Sequence, residues 1–198
     1  ASPDIWKSQP VFLTQTDPWE RFRIGPGAGS FDADPAKRKL LPGNQFPIEA
    51  FDAFTKQIVP RWLSTDDAVL AAYVALIDKV CPCVLLTHSQ GGVFGFKAAE
   101  ARPDKIKGIV SVEAASAGNI DKAPLLKSIP ILGVFGDYIE QDSRWVAYRK
   151  SDFAYFDAIK AAGGSVDLID LRKIGITGNS HMMMMDKNNR EIAEQISK

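Results

Sequence analysis

Histidine and cysteine are scarce in this sequence, two of each among 198 residues. With so little histidine, acid–base chemistry by imidazole near neutral pH is confined to His88 and His181. The cysteines, Cys81 and Cys83, are separated only by Pro82, and so close a lone pair is not a zinc pattern. Alternate residues of an extended strand point to opposite faces, a geometry that disfavours a mutual disulfide. The expectation is therefore a buried Cys83, with Cys81 either buried too or paired with a thiol outside this chain. Neither sign of charge prevails: Lys plus Arg number 24 and Asp plus Glu 24, for a formal net charge of zero. That balance lacks the electrostatic footprint of a nucleic-acid or anionic-membrane binder. The short run Lys37-Arg38-Lys39 reads as a solvated loop, since no aromatic residues interleave with it. No stretch approaches the roughly 20 apolar residues that cross a bilayer. Residue 1 does not open a charged-then-apolar leader, so any such segment is expected upstream or removed.

What is present is a globular composition, 45% hydrophobic and 24% charged, long enough for a single core. The first part of the chain reads as helices and loops without strands. Asp17-Pro18 opens a helix with Trp19 and Phe22 on one face. The glycine-rich Gly25-Pro26-Gly27-Ala28-Gly29-Ser30 lacks the lysine of a phosphate loop and follows no apolar strand, so it carries no phosphate role. Pro47 starts a second helix with Ile48, Phe51, Phe54 and Ile58 inward. A third, capped by Ser64 with Asp67 three residues on, presents Val69, Tyr73, Leu76, Ile77 and Val80. The aromatics Trp6, Phe12, Trp19, Phe22, Phe46, Phe51, Phe54 and Trp62 are core candidates, with a lid over a pocket as the functional alternative. The pattern then changes. Apolar runs at 83–87, 106–112, 130–135 and 166–171 alternate with helical ones at 92–101, 143–162 and 187–197, which is α/β with a parallel sheet. The division predicted is a helical cap or lid over residues 1–80 and an α/β core over 81–198.

Chemistry in such folds sits at the carboxyl ends of the strands. The first of these ends carries Thr87-His88-Ser89-Gln90-Gly91, a serine with small residues two positions to either side and a helical pattern directly after. That is the layout of a nucleophile elbow, in which a sharp strand-to-helix turn exposes the serine Oγ and excludes bulky neighbours. The backbone N–H of Gln90, in the first turn of the following helix, would face a developing oxyanion. Serine is a weak nucleophile until an imidazole takes its proton, and a carboxylate must hold that imidazole in the right tautomer. His181, in the turn-forming Gly178-Asn179-Ser180-His181 after the last strand, is the better base; His88 adjoins the serine on a strand, where neighbouring side chains diverge. Two acids compete: Glu113, directly after Val112, and Asp137, after Phe135-Gly136. Residue chemistry alone does not choose between them.

The order serine, acid, histidine is that of α/β-hydrolases. Several segments carry the likeness further: Trp19-x-x-Phe22-Arg23-x-Gly25-Pro26, Gln45-Phe46-Pro47, Val59-Pro60-x-Trp62-Leu63, Leu85-Leu86-x-His88-Ser89-Gln90, Ile109-Val110-Ser111-Val112-Glu113, Phe135-Gly136-Asp137 with Ile139-Glu140, and Gly178-Asn179-Ser180-His181-Met182-Met183-Met184. On these residues the chain resembles a small bacterial esterase family of the α/β-hydrolase superfamily with a Ser-Glu-His triad, over nearly all of its length from Trp19 on. The resemblance implies a serine ester hydrolase acting through an acyl-enzyme, with Ser89, His181 and Glu113 as triad, Asp137 as a structural residue, and no metal or organic cofactor. It also implies a helical cap before the elbow and a secreted or periplasmic setting. Met182 and Trp145 are candidates for an apolar acyl pocket. Lactonases, thioesterases and polyester hydrolases use the same triad, and a catalytically silent binding module of this fold is the reading from another class. Such a fold has about eight strands, of which only the last four, strands 5 to 8, are recognisable here. The first half, with the loop supplying the second oxyanion donor, is missing. The expected partners are thus a small ester substrate and an amino-terminal half chain of the same enzyme, carrying strands 1 to 4, with no nucleic acid and no membrane span.

Overall fold

A computed structural model describes residues 8–198; Trp6, named among the aromatics, lies outside the described residues. The alternation read after residue 83 folds into four strands, β1 (Cys83–His88), β2 (Ile106–Val112), β3 (Ile131–Phe135) and β4 (Val166–Asp170), in the spatial order β1-β2-β3-β4. β1 pairs with β2 and β2 with β3 in parallel, Leu85 lying opposite Ile109 and Ile109 opposite Ile131. The helices are α1 (Thr16–Arg21), α2 (Phe51–Thr55), α3 (Asp66–Val80), α4 (Gln90–Ala101), α5 (Ser143–Ala161) and α6 (Asn189–Ile196), with short 3-10 turns between them. Parallel neighbours require a long crossover: α4 supplies it between β1 and β2 and the segment with the 3-10 helix Ile120–Leu126 between β2 and β3, while α5 joins β3 to β4. Among the described residues no helix is long and apolar enough to cross a membrane.

Two compact units make up the chain: residues 65–135 with 144–169, and residues up to Ser64 with 136–143 and 170–198. α3 thus belongs with the sheet rather than with the helical segment that precedes it.

In the sheet unit, α4 and α5 share an aromatic core. Phe96 meets Tyr155 edge-on at 5.3 Å and Phe156 at 6.1 Å, the offset and edge geometry that aromatic quadrupoles prefer. α4 lies close on β1, since a Cβ on Gly95 would run into the Thr87 methyl. The other side of β1 is open. Its apolar residues suit a strand covered on both faces, yet Val84 is 61% and Leu86 68% exposed. The same holds for α3: of the five residues expected inward, Ile77 alone is buried, while Tyr73, Leu76 and Val80 are exposed. α3 is anchored by Tyr73 stacked on Phe94 at 6.0 Å and by Asp78, which pairs with Arg102 at 2.8 Å and Lys105 at 3.2 Å.

The expectation for the cysteines is overturned: Cys81 and Cys83 form a disulfide. The opposite-faces argument fails because β1 begins only at Cys83, leaving Cys81 outside the strand. The Cys81-Pro82 peptide is cis and the two Cα atoms lie 4.5 Å apart, within the range a disulfide spans.

The second unit is built around Trp19, Ile24, Phe46 and Phe51, all fully buried, with Phe22, Phe31, Phe54, Met182 and Met185 packed against them. Trp19 meets Phe51 edge-on at 4.8 Å. Phe12 is not part of this core and is 72% exposed. The basic run also departs from expectation at its centre. Arg38 is not solvated: its guanidinium lies 5.1 to 5.6 Å from the rings of Phe31, Phe51 and Trp19 and pairs with Asp52 at 2.9 Å. The rings that draw it in come from distant sequence positions, so local interleaving could not reveal them.

Candidate active site

Four non-glycine residues among those described have φ in the left-handed region: Arg23, Ser89, Glu113 and Tyr138. Such backbone costs about 1–3 kcal/mol per residue and persists only where the surroundings impose it. Ser89 stands at φ 55 and ψ −126 between the end of β1 and the start of α4. Its main chain is bonded on both sides. The Ser89 N–H donates to the Val112 carbonyl at 3.2 Å, and the Ser89 carbonyl accepts from the Ala115 N–H at 3.0 Å and the Gly92 N–H at 3.0 Å. Glu113, between those two partners, has φ 40, is 2% exposed, and donates its own N–H to the Val134 carbonyl at 3.0 Å. The serine and the Glu113 turn are therefore one hydrogen-bonded piece. Gln90 opens α4, so its N–H belongs to the positive end of the helix.

The need for small residues around the serine is met differently from the sequence reading. A Cβ on Gly91 would meet nothing within 4 Å, whereas one on Gly92 would lie 2.5 Å from the Ala114 Cβ. The crowding falls on Gly92 because that residue, not Gly91, faces the turn after β2.

The loop after β2 continues between α4 and α5. Glu100 of α4 accepts the Tyr155 hydroxyl at 2.8 Å and the Asn119 N–H at 2.7 Å, and burial, together with that carboxylate, holds the Tyr155 hydroxyl far above its ordinary range. Asp152, one turn before Tyr155, is also buried. Trp145 is 5% exposed on α5, edge-on to Tyr148 at 5.5 Å. His88 ends β1 and is half-buried.

In the other unit, His181 is fully buried in a loop of buried polar residues with Asn179, Ser180 and Asp186. The Asp186 carboxylate accepts the Ser180 N–H at 2.8 Å, the Ser180 hydroxyl at 2.7 Å and the Asn179 amide at 3.1 Å. The His181 N–H donates to the Phe22 carbonyl at 2.9 Å, and its ring lies 5.3 Å from the Phe22 ring. Gly178 carries φ 82, and a side chain there would run into the Gly43 carbonyl. Asp137 works for the same loop. Its carboxylate accepts the Tyr138 N–H at 2.8 Å and the Gly178 N–H at 3.1 Å, its N–H donates to the Asn179 carbonyl at 3.1 Å, and its carbonyl takes Arg23 Nε at 2.8 Å. Burial and the charges of Asp137 and Asp186 push the Tyr138 hydroxyl up to about 12. Met182 sits against the Trp19 cluster. A polar cavity of about 230 Å³ in this unit is lined by Glu20, Arg23, Gln141, Asp142 and Ser143 together with Gly25, Gly27 and Ala28.

Sequence reasoning named Ser89, Glu113, Asp137 and His181, quoted Arg23 in a motif without giving it a role, and missed Asp152 and Asp186. Asp186 had one available signal, an acid six residues beyond Ser180 in the same loop. Among the described residues no group of three or more His, Cys, Asp and Glu side chains could hold a metal ion.

No family model matches the chain. A solved bacterial esterase, described as novel and determined at atomic resolution, superposes with a TM-score of 0.85 at 36% identity, covering 96% of this chain and 57% of its own. A probable secreted lipase from Fungal sp. (strain ATCC 74256) is 28% identical, covering 75% of this chain and 54% of that protein. The chain thus spans little more than half the length of these relatives, and its parallel sheet with flanking helices matches the esterase fold.

Proposed function

We propose, from its likeness to bacterial esterases of the α/β-hydrolase fold, that this chain belongs to a serine carboxylic-ester hydrolase and carries its Ser-His-Glu triad. Ser89 Oγ attacks the ester carbonyl while His181 takes the hydroxyl proton; the tetrahedral oxyanion faces the Gln90 N–H. Collapse expels the alcohol, which leaves with the proton returned by the imidazolium. Water, deprotonated by the same histidine, then cleaves the acyl-enzyme to the carboxylic acid and free Ser89. The observation that carries this reading is the strained Ser89 bonded on both sides of the Glu113 turn. It also supports Glu113 as the acid, because the Asp137 carboxylate is occupied by two backbone N–H groups.

The rest of the enzyme, in this reading, carries the first half of the sheet and the second oxyanion donor. Two observations support this: the relatives run well beyond the matched region, and Val84 and Leu86 stand exposed on β1. Covering each would contribute about 1.5–3 kcal/mol. The Cys81–Cys83 disulfide fits an oxidising compartment, in keeping with secretion. The test is an intact-mass spectrum after exposure to a fluorophosphonate. One adduct on this chain, absent in Ser89→Ala, is the expected result; a folded protein that takes no label and cleaves no ester would overturn the reading.

A further inference from the structure

Arg23 occupies a position where a glycine would sit at ease. Its φ of 57 comes directly after the Phe22 C-cap of α1, and the Ile24 N–H returns to the Trp19 carbonyl at 3.2 Å. That is the left-handed turn with which many helices close, and glycine takes it without strain. An arginine there is strained backbone that the surroundings hold in place. The residue is also 1% exposed, and a guanidinium is costly to bury unless polar groups meet it. One of them is main chain: Arg23 Nε donates to the Asp137 carbonyl at 2.8 Å. Asp137 is in turn tied to the His181 loop twice, its carboxylate accepting the Gly178 N–H at 3.1 Å and its N–H donating to the Asn179 carbonyl at 3.1 Å. The residue before Arg23 holds the histidine itself, since the Phe22 carbonyl accepts the His181 N–H at 2.9 Å and the two rings stand 5.3 Å apart. On the other flank the Arg23 carbonyl accepts the Asn44 side-chain amide at 2.9 Å, and the next residue, Gln45, donates its N–H to the Gly178 carbonyl at 2.8 Å. Three routes therefore lead from residues 22 and 23 to the His181 loop, and the one through Asp137 depends on the Arg23 side chain.

We propose that Arg23 is a positioning residue for His181: through the bond from Nε to the Asp137 carbonyl it sets the loop that presents the imidazole to the serine hydroxyl. The inference rests on His181 being the base of the proposed hydrolase. What the geometry asks for is a donor at the place of Nε, not a positive charge as such. Misplacing a reacting group by about 1 Å costs on the order of 10²-fold in rate, so a slack loop shows in kcat.

The experiment compares wild type with Arg23→Met, Arg23→Gln and Arg23→Lys on a neutral ester. All three variants keep a side chain at the left-handed position, so the backbone strain is common to them. Glutamine carries its amide nitrogen as many bonds from the main chain as arginine carries Nε, without the charge; lysine keeps the charge but sets a methylene at that point. Arg23→Met, with neither, should lower kcat about ten- to hundredfold with KM changed less than about threefold. Arg23→Gln should recover most of that loss and Arg23→Lys little of it. Rescue by lysine and not by glutamine would overturn the proposal, as would a methionine variant equal to wild type. So would a raised KM at unchanged kcat, which would assign Arg23 to substrate binding in the cavity of about 230 Å³ that it lines. If Arg23→Met does not fold, the glutamine and lysine variants, both still polar, decide by the same comparison.

A second readout does not need catalysis. With only two histidines in the chain, the Hε1 proton resonances of His88 and His181 are told apart by their loss in His88→Gln, and that of His181 senses the Phe22 ring beside it. The His181 resonance should move in Arg23→Met and return in Arg23→Gln, while that of His88 stays in place. If Ser89 takes no fluorophosphonate and no ester is cleaved, the functional reading fails and this readout alone decides whether Arg23 sets the loop. A His181 resonance that stays put in Arg23→Met would overturn the proposal, as would the same displacement in the methionine and glutamine variants.

Discussion

The serine turn and the histidine loop are held in place by different means. Around Ser89 the work is done by main chain and small residues: two strand ends bonded through Val112 and Ala115, and a glycine at position 92 against Ala114. Around His181 it is done by side chains, with Asp186 and Asp137 between them gathering the Asn179, Ser180, Tyr138 and Gly178 donors. A backbone-held turn tolerates most side-chain changes and fails where a Cβ cannot fit. A loop held by buried carboxylates fails when one carboxylate is lost, because each leaves several donors unsatisfied at once.

Five variants sharpen that contrast, and the acids give the largest effect. If the proposed triad holds, Glu113→Gln should lower kcat on the order of 10³- to 10⁴-fold with the fold intact, since the imidazole would lose the partner that sets its tautomer. Asp137→Asn should instead destabilise by about 1–3 kcal/mol, read in urea, with a much smaller loss of kcat, since its job is two N–H bonds. The reverse pattern would make Asp137 the acid. Next comes Asp186→Ala, which strips three donors of their acceptor and should cost about 3 kcal/mol; a change below about 1 kcal/mol would mean that the histidine loop is held otherwise. The smallest effect is a paired one at the serine turn. Gly92→Ala should cost about 1–3 kcal/mol by overpacking against Ala114, whereas Gly91→Ala should be neutral or slightly stabilising, as alanine suits a helix. Equal midpoints for the two would remove the packing argument.

The sheet was legible in the sequence almost strand for strand. Runs such as Ile106–Val112 combine β-branched residues with turn signals at both ends, and parallel pairing requires little else. Periodicity marks which residues suit burial, not whether anything is there to cover them. That is why Leu76, Val80, Val84 and Leu86 read as core and stand exposed. Contacts between distant segments were out of reach for the same reason: Arg38 meets rings seven to nineteen places away. The cysteine pair failed on one assumption, that both residues belong to the strand. Of the candidate site, the elbow and the Gly-Asn-Ser-His turn were visible as local motifs, while the second rank of buried acids, Asp152 and Asp186, was not. A carboxylate has no periodicity, and its role is set by partners that only the fold assembles.

The bonds from Ser89 to Val112 and Ala115 also bear on how this chain can be rebuilt. The Ser89 turn and the Glu113 turn form a single inheritable cassette that begins in β1 and ends past β2. A chimera joined anywhere between them, even at the surface turn Pro103–Lys105, would take its serine from one parent and its glutamate from another. Recombination between relatives should therefore respect the stretch from Cys83 to Asn119 as one block, whatever the sequence similarity on either side.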